Sequence, residues 1–129
     1  MKAHNLFILI MVFTAIFFSQ KNIAYSQAKN GDEITIVGEV VDANCYMQDG
    51  SEATGPGHKD CATMCAKGGA PLAILTKDGV LYYPIAPMGK NPNDKLTDYI
   101  ADNVKVTGKF YSQGGSNMGI KISSVTKSE

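Results

Sequence analysis

The stretch ITIVGEVVDA spans Ile34–Ala43 and carries the strongest structural signal in the chain. It is rich in β-branched residues, and apolar positions roughly alternate with polar ones, which predicts a half-buried first strand. A similar segment, VKVTGKFY, occupies residues 104–111. Each segment has an internal glycine, Gly38 and Gly108, as expected where a strand of a small barrel bends or bulges.

Three further segments complete a set of five predicted strands. The apolar runs Leu72–Thr76 and Val80–Ile85 flank the turn sequence Lys-Asp-Gly, which predicts a hairpin. Residues 118–125 alternate again and form the fifth predicted strand. Between the third and fourth strands, Asn91 can cap a helix that begins at Pro92 and places apolar residues on one face, namely Leu96, Tyr99 and Ile100.

The segment between the first and second strands has a different composition. Asp49–Gly57 is rich in glycine and small polar residues and predicts a loop. His58–Lys67 lacks glycine and proline, and the pair Gly68-Gly69 follows it, so it predicts a short helix. The chain is therefore predicted to be mainly β. We expect a five-stranded OB-like barrel at residues 34–126, with a short Cys/His-bearing helix after strand 1 and a helix between strands 3 and 4.

The N-terminus has the pattern of a secretory signal peptide. Lys2 precedes an apolar run at residues 6–18, and the small residues Ala24 and Ser26 mark a cleavage site. The run is shorter than the roughly 20 residues of a membrane-spanning helix, so no stable span is expected after cleavage. We therefore predict a signal peptide at 1–26, a flexible segment at 27–33, and an exported protein in the periplasm or the extracellular space.

Composition limits the functional classes. Removal of residues 1–26 leaves 103 residues, enough for one domain, with 10 lysines against 12 acidic residues. Arginine is absent from the whole chain, and nucleic-acid binding normally requires a basic, arginine-containing patch. The sequence also lacks a serine elbow and a phosphate-binding loop. Neither a nucleic-acid partner nor an enzyme is expected.

Chemistry-bearing residues concentrate in the predicted insertion. His58, Cys61 and Cys65 are spaced so that a helix would place them on one face, and Cys45 follows the first strand. Three thiolates and one imidazole form a known tetrahedral zinc set. Zinc is the first expectation and copper the second, because soft sulfur ligands also suit Cu(I). Covalent haem is not expected, because the C-x-x-C-H motif is absent.

Two other interpretations of the cysteines remain open. Cys45 could form a disulfide with Cys61 or Cys65 and staple the insertion to the barrel, or two of the thiols could be a redox pair. The neighbouring Met47 and Met64 are interpreted as core-filling residues. The acidic residues around the insertion are interpreted as a solvated loop, namely Asp42, Asp49, Glu52 and Asp60. Three tyrosines on strands could line a binding face, namely Tyr82, Tyr83 and Tyr111.

These residues resemble a group of small exported bacterial domains that is largely uncharacterised. The matching segments are Gly38–Cys45, then His58, Cys61 and Cys65 with the following Gly68-Gly69, then Val104–Lys109. The resemblance implies an OB-like barrel and no particular activity. Our functional hypothesis is an exported metal-binding domain with a binding or accessory role. The alternative is a disulfide-stabilised accessory subunit that docks on a protein partner in a larger exported complex and has no chemistry of its own.

Overall fold

The structure is a computed structural model in which residues 28–129 are described. The predicted signal peptide lies outside the described residues. Five strands occur where the sequence predicted them: β1 (Glu33–Asp42), β2 (Leu72–Thr76), β3 (Leu81–Pro84), β4 (Asn103–Ser112) and β5 (Met118–Lys127). Two helices, α1 (Ala43–Asp49) and α2 (Lys59–Lys67), lie between β1 and β2. Of these helices, only α2 was predicted.

The strands form one mixed sheet that closes in a ring. Strand β1 pairs antiparallel with both β2 and β4, and β2 continues antiparallel into β3. Strand β5 pairs antiparallel with β4 and parallel with β3, which closes the order β1-β2-β3-β5-β4. The predicted β2–β3 hairpin is confirmed: the Gly79 amide donates to the Thr76 carbonyl at 3.0 Å, and Gly79 has a φ of 80°.

The two strand glycines allow neighbouring backbones to approach closely. A Cβ on Gly38 would lie 2.3 Å from the Leu75 carbonyl oxygen, and one on Gly108 would lie 2.4 Å from the Lys121 carbonyl oxygen. The register of β4 against β5 also shifts between Thr107 and Gly108. The prediction that a glycine marks a bulge is therefore confirmed at Gly108, and Gly38 marks a close strand contact.

The core fills the inside of the ring with apolar side chains from every strand. Its buried members include Ile36, Val40, Leu72, Ile74, Tyr82, Val104, Val106, Phe110, Ile120 and Ile122. Ala62 of α2 is buried against this core, so the inserted helix is part of the domain. Ahead of β1, the Gly31 amide donates to the Phe110 carbonyl at 2.7 Å and ties the chain to β4.

The sequence predicted a helix between β3 and β4, and this prediction is wrong. Asn91 caps this segment as expected, accepting from the Asn93 amide at 3.0 Å, but two 3₁₀ turns follow, at Pro92–Lys95 and Thr97–Tyr99. The chain then leaves the helical conformation because the Ala101 amide donates to the Val40 carbonyl at 2.8 Å. Ile100 bridges to Val40 of β1, and Leu96 and Ile100 are both buried, as their spacing indicated.

Candidate metal site

The first part of the site is α1, which the sequence analysis missed. Asp42, the last residue of β1, is 1% exposed, and its Oδ1 accepts from the amides of Asn44 at 2.8 Å and Cys45 at 3.0 Å. This N-cap starts α1 directly after the strand and places Cys45 in the first turn. The detectable signal was an aspartate followed by residues 43–49, a stretch without glycine or proline.

The second part of the site is α2, which packs over β1. Its inward residues are the small Ala62 and Ala66, so the helix can lie close to the core. The Gly55 amide donates to Glu39 Oε1 at 2.5 Å and joins the preceding loop to β1. Cys61 and Cys65 are four residues apart on α2, one turn from each other on the same face.

The two helices bring all three cysteines together. The three Sγ atoms lie within 4.8 Å of one another, and all three cysteines are free thiols. Cys45 and Cys65 are half-buried, while Cys61 is exposed. The disulfide of the alternative interpretation is therefore not formed in this structure, and the cluster is open to solvent on the Cys61 side.

His58 is not part of this group of mutually close donor atoms. It is half-buried at the end of a 3₁₀ turn, Pro56–His58, and precedes α2, which begins at Lys59. The regular helical spacing that links Cys61 to Cys65 therefore does not extend back to the histidine. Its Nε2 is buried and has no hydrogen-bond partner within residues 28–129. A ligand role for His58 stays a prediction.

The surroundings of Cys45 and Cys65 favour the protonated form of these two thiols. Burial, and then the nearby Asp42 carboxylate, raise the pKa of Cys45 from 9.0 to about 12. Burial and the same carboxylate also raise the pKa of Cys65. A catalytic or redox cysteine needs the opposite shift, because the thiolate is the nucleophile. The pKa directions therefore do not support a reactive thiol pair, whereas a bound divalent cation would reverse the local electrostatics and deprotonate the thiols.

The structure also tests the sequence interpretation of the methionines and acidic residues around the site and of the three strand tyrosines. Met47 and Met64 are each 72% exposed, so the prediction that they fill the core is wrong. Asp42 is buried and not part of a solvated loop, whereas Asp49, Glu52 and Asp60 are exposed as expected. Of the three tyrosines, Tyr82 belongs to the core, and Tyr83 and Tyr111 line a surface groove of about 570 Å³.

Three thiols at these separations can surround a single ion. The end of β1 fixes the start of α1, and the Ala43 amide donates to the Pro71 carbonyl at 3.0 Å, which ties this start to the segment between α2 and β2. Within the described residues, no helix is long and apolar enough to span a membrane. The chain matches no protein-family model, no curated protein and no solved structure.

Proposed function

We propose that this protein is an exported domain that binds one thiophilic metal ion through Cys45, Cys61 and Cys65. The observation that carries the proposal is the mutual approach of the three Sγ atoms to within 4.8 Å. The three residues come from two helices separated by a loop, so the fold brings them together from positions that are not adjacent in sequence.

The donor set indicates the class of ion. Thiolate sulfur binds zinc at about 2.3 Å, and soft ions such as Cu(I) also prefer sulfur. Zinc is the first candidate, because a fourth donor close to the three thiols would complete its usual tetrahedron. Cu(I) is the second candidate, and the exposed Met47 and Met64 flank the cysteines in sequence as additional soft donors.

The proposal places this site on an OB-like barrel. The closed order β1-β2-β3-β5-β4, with a parallel β3–β5 pair, supports such a barrel, as do the close strand contacts at the glycines of β1 and β4. We also propose that the chain is related to the group of small exported bacterial domains that its sequence resembles. Export is supported by the sequence pattern at residues 1–26 and would expose the free thiols to an oxidising compartment, where a bound metal protects them.

The test is elemental analysis of the protein purified from the exported fraction, with free thiols counted before and after chelation. We expect one equivalent of zinc or copper per chain, and three titratable thiols once the metal is removed. The variant Cys61→Ala should lose the metal. Lys67→Ala, at the exposed end of the same helix, should retain it. A metal-free protein with one titratable thiol would refute the proposal.

A second candidate function rests on the groove beside β3 and β5. Exposed Tyr83 and Ile85, together with Tyr111 and Met118, give this surface an aromatic and apolar lining. Aromatic and methionine side chains are enriched at protein interfaces. The groove supports an accessory role in which the domain docks on a protein partner in a larger exported complex. Co-purification of a partner with the wild type, and its loss in Tyr83→Ser, would support that role.

A further inference from the structure

One buried polar atom next to the thiols has no strong partner. Asp42 is 1% exposed, and its Oδ2 has no hydrogen bond of regular geometry among residues 28–129; the groups that interact with this carboxylate on the cluster side are the weakly donating thiols of Cys45 and Cys65. Its other oxygen, Oδ1, is held by the amides of Asn44 and Cys45. A thiol is a weak donor for a buried carboxylate oxygen, so a stronger partner for Oδ2 would be favourable.

The Asp42 carboxylate lies beside two of the three thiols. Asp42 is close enough to the thiols of Cys45 and Cys65 to contribute to the raised pKa of both. It lies outside the group of atoms that are all within 4.8 Å of one another, so joining it to the same ion requires some adjustment of the cluster. Cys61 is the exposed cysteine, and its side chain has the most room to adjust.

We propose that Asp42 Oδ2 is the fourth ligand of the metal, which makes the site Cys₃Asp. This inference rests on the proposed metal binding and names a residue that the sequence analysis assigned to a solvated loop. The N-cap hydrogen bonds fix the carboxylate through Oδ1, so Oδ2 is presented to the thiols without a further conformational cost. A bound cation would be a stronger partner for Oδ2 than a thiol.

The ligand set selects among metals. A carboxylate oxygen is a hard donor and binds zinc at about 2.0–2.2 Å, whereas Cu(I) prefers thiolate and thioether sulfur. The site therefore favours a divalent ion, zinc above all, over Cu(I). His58 is the competing fourth ligand, because its Nε2 is also buried without a partner among the described residues. The two candidate ligands lead to different expected metal affinities in variants.

The decisive variant is Asp42→Asn, because asparagine has nearly the same shape and is an equally good N-cap. Zinc and Cu(I) affinities are measured by competition with chromophoric chelators for the wild type, D42N and His58→Ala. We expect D42N to bind zinc at least about tenfold more weakly and to bind Cu(I) as tightly as the wild type or more tightly, because the loss of the carboxylate makes the thiols easier to ionise. We expect H58A to bind both ions as the wild type does. Circular dichroism checks that D42N is folded.

A second measurement does not depend on any variant. X-ray absorption at the zinc edge of the loaded wild-type protein should show three sulfur neighbours and one oxygen at a zinc–ligand distance typical of carboxylate. It should lack the multiple-scattering signature of an imidazole ring. An imidazole signature, or a loss of zinc affinity confined to H58A, would overturn the assignment to Asp42.

The proposed metal binding and the proposed fourth ligand can be refuted separately. If the wild type binds zinc and D42N binds it equally well or more tightly, the Cys₃Asp assignment is wrong and the metal site stands. Tighter binding would be expected of a bystander carboxylate, because its removal makes the neighbouring thiols easier to ionise. If the wild type binds no metal ion at all, the proposed function fails, and the ligand assignment fails with it.

Discussion

When no cation is bound, the negative charge of Asp42 disfavours ionisation of the thiols next to it. Partial burial disfavours a thiolate, and the negative carboxylate disfavours it further, so Cys45 and Cys65 hold their protons at neutral pH. Metal binding must therefore release these protons. At the scale of single residues, the affinity for zinc should fall as the pH falls, and a chelator competition at about pH 6 and about pH 8 measures the difference.

The raised pKa of Cys45 also predicts how the metal-free protein responds to alkaline pH. Between 9.0 and about 12, this thiol is ionised in the unfolded chain and protonated in the folded one. The unfolded chain then binds fewer protons, so the free energy of unfolding falls as the pH rises through this interval. The stability that the protonated thiol contributes is fully present below pH 9 and is lost toward pH 12.

The measurement is urea unfolding of reduced, metal-free protein at about pH 8 and about pH 10.5. Lysines and tyrosines titrate in the same range, so the wild type is compared with Cys45→Ala, which retains all of them. We expect the wild type to lose more stability than the variant over this interval. Parallel losses in the two proteins would contradict the raised pKa.

Residue types and spacing were sufficient to find the thiols but not their carboxylate neighbour. The odd cysteine number and the spacing of Cys61 and Cys65 identified the cluster, because helical periodicity is a local property. The burial of Asp42 depends on where β1 ends and α1 begins against the rest of the fold. Three acidic residues at similar distances along the chain are exposed, so sequence proximity could not separate Asp42 from them.

Strands β1 and β4 depend on backbone contacts that only glycine allows. We predict that Gly108→Ala destabilises the domain by about 1–3 kcal/mol, because the added Cβ would lie 2.4 Å from the Lys121 carbonyl oxygen. Gly57→Ala is the control, since no heavy atom lies within 4 Å of its Cβ position and its φ is not positive. Urea unfolding measures both variants. Equal stability of G108A and G57A would show that β4 and β5 can separate at little cost.

The elements that the sequence predicted well are those with long, regular patterns. All five strands, the β2–β3 hairpin and α2 show alternation or clear start and stop signals. The segment after Asn91 has a good cap and a helical apolar spacing, yet it forms 3₁₀ turns. Its conformation is set by contacts with distant segments: buried Asn93 bonds the Leu72 amide at 3.0 Å and the Ala70 carbonyl at 2.8 Å. Such tertiary bonds are not visible in local sequence.

The whole molecule combines a closed ring of strands with an insertion that carries the site. Among residues 28–129, the extensive apolar core lies inside the ring, and the insertion between β1 and β2 contributes mainly small residues to it, Ala53 and Ala62 among them. A metal held by Cys45 on one side and Cys61 and Cys65 on the other would cross-link α1 to α2. Metal binding should therefore stabilise the insertion and, through β1, the entire domain.

This coupling predicts a higher melting temperature for the zinc-loaded protein. Free zinc at about 100 times Kd would stabilise the folded state by up to about 2.7 kcal/mol, and each kcal/mol raises the Tm of a domain of this size by about 4–8 °C. Zinc bound by the thiols of the unfolded chain reduces the gain, so we expect a rise of several degrees, reversed by a chelator. Calorimetry of Cys61→Ala should show a smaller rise, while Lys67→Ala should match the wild type. A Tm that is independent of zinc, in protein that binds it stoichiometrically, would mean that the ion does not link the two helices.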